Sequence, residues 1–458
     1  MTNLSFPNEF IWGTASSSYQ IEGAWNEDGK GPSIWDTFTH IPGRITNNET
    51  GDVAIDHYHR WKEDIQLMAD LGLKAYRFST SWPRIFPEGR GKVNLKGVDF
   101  YDRLIDELLR KKIEPFLCLY HWDLPQTMQD QGGWPVREIA YYFGDYARLM
   151  SEKYSDRVKN WITHNEPFVT AGAGYFLGEH APGIKEPLAA IKAIHHLLLS
   201  HGLATQAIQS ASRQPVNVGV VLNLSPIHPA TNGKKDIEAA RRFDIIQNRA
   251  FLDPLLLGTS PIAEMKLLNR LVGSVIKPGD LELINRLDFL GVNYYSRTVI
   301  KHDPKFPIFA TSQVHPIGNE YSGMWEIYPE GLNEILVNIW ENYSHRMKSP
   351  QTLPMMMVTE NGIPVPDGFD FDGKIRDVRR IRYLEQHIFQ VYKAIQKGVP
   401  VKGYFVWSLM DNFEWAQGYE KRFGLVYVDF KTQKRTIKES GFWFADVVKD
   451  NGLITHFE

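Results

Sequence analysis

The chain has one cysteine in 458 residues, so no intramolecular disulfide can hold it together. Cys118 sits in the apolar run Phe116-Leu117-Cys118-Leu119 and reads as a small buried hydrophobe. Blocks of five or more like charges are missing, and the net charge is only −3. A nucleic-acid or membrane-surface partner would leave a basic patch, so neither is expected. Apolar runs fall well short of the roughly 20 residues that span a bilayer. The opening residues, Met1 to Glu9, carry neither a basic segment nor an apolar one behind it, and the expectation is a soluble, cytoplasmic protein. There is no Gly/Ser-rich linker, low-complexity tract or short repeat, and residues 1–458 read as a single domain. No glycine-rich phosphate loop follows an early strand, so a nucleotide-binding doubly wound sheet lacks support.

What is present is an ordinary globular composition, 43% hydrophobic and 23% charged, which excludes disorder. A chain this long buries roughly three quarters of its unfolded surface. Thirteen Trp and 20 Tyr mildly favour a carbohydrate site, since apolar sugar faces stack on aromatic rings.

Short apolar segments alternate with amphipathic ones to the end of the chain. Eight candidate strands run from Phe10 to Ala15, Leu73 to Ser79, Ile113 to Tyr120, Val158 to His164, Val216 to Asn223, Phe289 to Tyr294, Met355 to Thr359 and Gly403 to Ser408. The nearly continuous apolar run from Val216 to Leu222 suits a parallel strand covered on both faces. Between strands, Tyr101, Leu104, Ile105, Leu108 and Leu109 follow the spacing of one buried helix face, as do Trp61, Ile65 and Met68, and Ile381, Leu384, Ile388, Val391 and Ile395. Eight such units predict a single (β/α)8 barrel of the α/β class. The polar stretches from Trp25 to Gly51 and Ser296 to Glu326 read as long loops on the active-site face.

Two glutamates occupy matching contexts, Thr163-His164-Asn165-Glu166-Pro167 and Val358-Thr359-Glu360-Asn361-Gly362. Each ends an apolar strand before a breaker, where barrel enzymes keep catalytic groups. Pro167 biases Glu166 toward an extended backbone, and Asn361-Gly362 signals a turn. Paired carboxyls suit glycoside hydrolysis: one stays protonated to expel the leaving oxygen, the other ionised to attack the anomeric carbon. The negative charge of Glu360 and partial burial would both raise the pKa of Glu166. Arg77, at the end of the second strand, would keep Glu360 ionised.

The two glutamate segments resemble the acid/base and nucleophile signatures of glycoside hydrolase family 1, the β-glucosidase family. The resemblance covers the whole chain. It runs through Phe10-Ile11-Trp12-Gly13-Thr14-Ala15, Tyr19-Gln20-Ile21-Glu22-Gly23, His121-Trp122-Asp123, Asn293-Tyr294-Tyr295 and the segment from Trp407 to Trp415. It implies a retaining double displacement with Glu166 as acid/base and Glu360 as nucleophile, no cofactor and no metal. It implies that Arg77 and Tyr295 support the nucleophile and that Asn293 seats Glu166 or the substrate. Gln20, His121, Trp122, Asn165, Glu414 and Phe423 would hold the sugar. Trp407 would be the platform beneath the ring and Trp415 its outer edge.

A carboxylate at Glu414 can accept two hydrogen bonds from neighbouring hydroxyls, and O4 and O6 are the expected pair. It would repel a phosphate on O6, and relatives acting on 6-phosphorylated sugars carry Ser and Lys nearby instead. An unphosphorylated glycone is therefore expected, with galactoside and fucoside activity beside glucoside activity. Because position 166 is Glu and not the Gln of plant thioglucosidases, O-glycosides are expected. Trp325, His180 and Asn223 are candidates for the aglycone side. The rival readings are a 6-phospho-β-glucosidase and a non-catalytic carbohydrate-binding protein of the same fold. The partner expected is a small carbohydrate, a β-glucoside or cello-oligosaccharide, bound by a monomer or homo-oligomer.

Overall fold

The computed structural model describes residues 2–265, 269–270, 273–306, 309–347 and 353–455. Eight parallel strands close into a barrel in chain order: β1 (Ile11–Ala15), β2 (Ala75–Ser79), β3 (Glu114–Tyr120), β4 (Asn160–Asn165), β5 (Asn217–Asn223), β6 (Phe289–Asn293), β7 (Met355–Asn361) and β8 (Val401–Trp407). All eight fall on the expected segments. No end differs by more than two residues: β2 and β4 start two late, β7 ends two late and β8 starts two early.

Period-two alternation divides the strand side chains between two cores. Ala75, Phe116, Cys118, Ile162, Val221, Phe289, Met357 and Phe405 fill the barrel interior. Their neighbours Tyr76, Leu117, Trp161, Val220, Leu290, Val358 and Tyr404 face the helices. The free Cys118 thiol is pushed up to about 11 by burial, as an inert core residue should be.

Among the described residues, eight helices form the outer layer: α1 (His57–Asp70), α2 (Leu95–Arg110), α3 (Glu138–Tyr154), α4 (Pro187–Ala211), α5 (Ala250–Leu257), α6 (Glu330–Tyr343), α7 (Val378–Gln396) and α8 (Glu439–Asp450). Trp61, Ile65 and Met68 of α1 and Leu384, Ile388 and Val391 of α7 are buried against the barrel. Each such side chain contributes about 1.5–3 kcal/mol. Leu109 departs from the expected α2 stripe. It is 37% exposed, just off the buried face, which Val98 and Phe100 extend at the start of the helix.

The two long connections are more ordered than their composition suggests. The first contains a helix, Ile34–Thr39, started by a capping box between Ser33 and Asp36. The second, of which residues 307 and 308 lie outside the described ones, contains strands Thr298–His302 and Thr311–Val314. These form a three-stranded sheet with Ile227–Pro229.

Two register shifts lie at the C-terminal ends of β4 and β7. Ile162 pairs with Gly219, but the next partner of β5 is Asn165. Thr163 and His164 both turn outward to α4, where they meet His201 and Ser200, and Asn165 swings into the mouth. On β7, Val358 pairs with Val292 and Glu360 with Asn293, so Thr359 and Glu360 face one residue. A bulge re-aims the side chains that follow it. Here the two shifts turn Asn165 and Glu360 toward one another.

Candidate active site

Glu360 takes hydrogen bonds on both oxygens. The buried Arg77 guanidinium pairs with Oε1, and the Tyr295 hydroxyl donates to Oε2 at 2.7 Å. Arg77 lies within β2 and not at its end, as a deep, 1% exposed inward-facing residue. Its other terminal nitrogen, Nη2, donates to Asn165 Oδ1 at 2.6 Å.

Glu166 is held differently. Its Oε1 accepts from Asn293 Nδ2 at 2.7 Å, and no cation pairs with it among the described residues. Burial, followed by the negative charge of Glu360, pushes its carboxyl up to about 8; the Asn293 hydrogen bond and Arg77 pull the other way. Its backbone is left-handed, with φ 48°, and not extended. Pro167 excludes the right-handed helical region, yet the Glu166 N–H must reach Val221 O (2.9 Å) while its carbonyl accepts from Val169 (3.0 Å) and Thr170 (3.1 Å). Those three bonds offset a strain of about 1–3 kcal/mol.

Asn293 and Asn165 join the two glutamates. Asn293 Nδ2 also donates to Asn165 Oδ1 at 3.0 Å, and Thr359 Oγ1 donates to Asn293 Oδ1 at 2.8 Å. Because Asn165 Oδ1 receives from both Arg77 and Asn293, its Nδ2 faces His121 Nε2, 3.0 Å away. His121 must therefore accept there and carry its proton on Nδ1, which has no protein partner. Burial, then the charge of Arg77, holds the ring neutral. An uncommitted N–H donor results.

Around this network stand aromatic rings. The His121 ring is near-parallel to those of Trp407 and Trp415, each 5.8 Å away. Trp122 packs against Trp415 and spends its indole N–H on Asn165 O at 3.0 Å, which leaves it only ring surface to offer. Trp407 and Phe423 are buried at the top of the barrel interior beside Tyr295 and Trp325. Asn361-Gly362 does make the exit from β7, and glycine is required: a Cβ on Gly362 would lie 1.8 Å from Trp407 O.

Gln20 is fully buried, and its amide is committed to protein. It accepts from Ser17 (2.6 Å) and donates to Phe413 O (2.8 Å), Asn412 Oδ1 (3.1 Å) and Glu414 Oε2 (3.4 Å). A sugar hydroxyl would share one of these partners. Glu414 is half-buried, and its carboxyl is pushed up to about 8 by burial and then by Glu360, against hydrogen bonds from Trp407 and Gln20. Gln20 and Trp407 both donate to this carboxyl, so its oxygens serve as acceptors in the mouth. Among the described residues no cation pairs with it, so it offers a phosphate on O6 no counter-charge of its own.

The three aglycone candidates are half-buried and each leaves a polar atom without a protein partner. Trp325 packs on Tyr295 (4.9 Å) and Phe423 (6.0 Å). His180 lies 5.3 Å from both Trp35 and Trp122, its ring pushed down to about 4 by burial. Asn223 ends β5 beside Asn293. Sequence reading missed Thr359 and Trp35, whose roles depend on partners distant in the chain, and Ser17, which donates to Gln20 only three residues on. Two cavities of about 400 Å³, one apolar around Phe168 and Phe243 and one polar around His228 and Arg249, include none of these residues. Among the described residues no group of His, Cys, Asp and Glu could hold a metal ion, and no helix is long and apolar enough to cross a membrane.

A barrel mouth that keeps one glutamic acid protonated against another glutamate anchored to arginine is the equipment of a glycoside hydrolase. The comparisons narrow the class: the profile of Glycosyl hydrolase family 1 matches residues 2–453, and the chain belongs to that family. It is 48% identical to "Beta-glucosidase A" of Thermotoga maritima over 99% of this chain and 100% of that one. It is 42% identical to "Bifunctional beta-D-glucosidase/beta-D-fucosidase" of Bifidobacterium breve over 98% of this chain and 99% of that one. Among solved structures, a family 1 β-glucosidase from Thermotoga maritima superposes with a TM-score of 0.92 at 46% identity, covering 99% and 100% of the two chains. A β-glucosidase of that organism in complex with glucoimidazole superposes at 0.91, with 47% identity over 98% and 100%.

Proposed function

We propose that the protein is a retaining, exo-acting β-glucosidase that releases terminal non-reducing β-D-glucose from β-glucosides and cello-oligosaccharides. Galactosides and fucosides are accepted as side substrates, and sugar acceptors compete with water. Glu360 attacks the anomeric carbon while Glu166 gives its proton to the departing glycosidic oxygen. The product of this step is a glycosyl ester on Glu360. Water then enters on the vacated side, Glu166 takes its proton, and Glu360 leaves with β configuration restored. Arg77 and Tyr295 stabilise the Glu360 carboxylate as attacker and leaving group. Asn165 meets the 2-hydroxyl, His121 donates to a neighbouring one, and Glu414 with Gln20 holds O4 and O6. Trp407 and Trp415 flank the ring; Trp325, His180 and Asn223 line the aglycone side.

The observation that carries the reading is the asymmetry of the two carboxyls. Glu166 stays protonated to about pH 8, while Glu360 is matched by a guanidinium and a phenol. The named activities of the relatives support glucose as glycone. The unpaired setting of Glu414 speaks against a 6-phosphorylated sugar, and the presence of both carboxyls speaks against a non-catalytic binding protein. The whole chain acts as one catalytic domain on a small carbohydrate; its buried free thiol suits the reducing cytoplasm. Incubation with a 2-deoxy-2-fluoro-β-glucoside bearing a good leaving group tests the proposal. Mass spectrometry should find the sugar esterified to Glu360; labelling at another residue, or turnover of only the 6-phosphate, would overturn it.

A further inference from the structure

The segment that carries Glu414, Trp415 and Phe423 is closed at its base by a fully buried carboxylate, Asp411. Asp411 Oδ1 accepts from Gly424 N (2.9 Å) and Lys438 Nζ (2.8 Å), and Oδ2 accepts from Arg422 Nη1 (2.7 Å). One side chain thus joins the first residue of the 411–424 loop to its last ones. The closure is tight: a Cβ on Gly424 would lie 2.1 Å from Asp411 N. Lys438, just before α8, also pairs with Asp367, which accepts from Arg380 Nη2 at 3.0 Å. Arg380 pairs with Asp377 and donates to Arg422 O at 2.7 Å. Asp367 belongs to the stretch leaving β7 after Glu360, so the cluster ties the nucleophile's loop to the loop bearing Glu414.

The side chains of Asp367, Asp377, Asp411, Arg380 and Lys438 are no more than 1% exposed. With Arg422, three cations meet three carboxylates. Removing one cation would leave two buried aspartates undercompensated, and the cheapest relief is for the loop ends to part. Such a loop still encloses a sugar but no longer holds Glu414 against it.

We propose that the buried Lys438–Asp411 pair is a positioning device for Glu414, and that it sets how strongly the enzyme distinguishes sugars at O4 and O6. The proposal rests on the reading of Glu414 as a contact to those oxygens. Neither residue is catalytic.

The test is the ratio of kcat/KM for 4-nitrophenyl β-D-glucoside to that for the β-D-fucoside, which lacks the 6-hydroxyl and carries its 4-hydroxyl axially, so that the ratio reads both O4 and O6. In the full-length Lys438→Met variant the ratio should fall about five-fold or more, about the net worth of one hydrogen bond. A purely structural role lowers the active fraction and scales both substrates alike, so an unchanged ratio overturns the proposal. Asp411→Asn, which keeps the shape and removes the charge, is read the same way if Lys438→Met does not fold. Glu414→Gln separates the two claims. If it leaves the ratio unchanged, the reading of Glu414 fails and the positioning role falls with it. If it shifts the ratio while Lys438→Met and Asp411→Asn do not, only the positioning role is refuted.

Discussion

Replacing Asn293 with Ala should raise the pKa of Glu166. In the native protein Asn293 donates to Glu166 Oε1 at 2.7 Å, a bond that favours the charged carboxylate and pulls against burial and Glu360. A hydrogen bond to a charged group is worth about 1.5–3 kcal/mol, and one pH unit corresponds to about 1.4 kcal/mol, so its loss moves the titration upward by about one to two units. Starting from about 8, Glu166 would titrate between about 9 and 10 in the variant. A rate profile alone would blur this, because Glu414 is also pushed up to about 8. The direct assay is a carbon-13 titration of side-chain-labelled glutamate, with Glu166→Gln assigning the resonance. With cellobiose, whose leaving group needs the proton, the variant should keep its acid in the active form to higher pH. A Glu166 titration that stays put or moves down would refute the balance of forces described here.

Tyr295→Phe removes the phenol bound to Glu360 at 2.7 Å, and kcat for an aryl glucoside should fall roughly 10- to 100-fold with the fold intact by circular dichroism. Glu166→Ala should form the glycosyl-enzyme quickly from glucosides with good leaving groups and slowly from cellobiose. Equal slowing in burst kinetics would remove Glu166 from the acid role. The folded protein holds protons on Glu166 and Glu414 up to about pH 8, against an ordinary value of 4.5. Their contribution to stability is therefore complete below pH 4.5 and is lost as pH rises through about 8. Thermal melts should show the native protein losing more stability between pH 6 and 9 than the Glu166→Gln/Glu414→Gln double variant; parallel losses would contradict the sign.

The barrel was legible because each strand is an apolar run buried on both faces, and because the alternation with helices leaves few other closed arrangements. Glu166 and Glu360 stood out as polar ends of such runs. The bulges that aim Asn165 and Glu360 were not legible, since a register shift is a property of the pairing between strands and not of one of them. Thr298-Val299-Ile300 and Thr311–Val314 looked like loop because each is too short to stand without its partner strand. Leu109 fitted the helical period but lies just off the face that α2 buries. The committed amide of Gln20 and the raised carboxyl of Glu414 arise from groups hundreds of residues away or across the mouth, and no local pattern carries them.

The central claim is that Glu360 forms a covalent glycosyl-enzyme while Glu166 serves as acid and then base. An early-time proton NMR spectrum of the protein hydrolysing 4-nitrophenyl β-D-glucoside tests it most directly. Two displacements predict that β-glucose appears first and the α anomer grows in only by mutarotation. If α-glucose appears first, Glu360 does not act as the nucleophile, and the account is wrong at its centre.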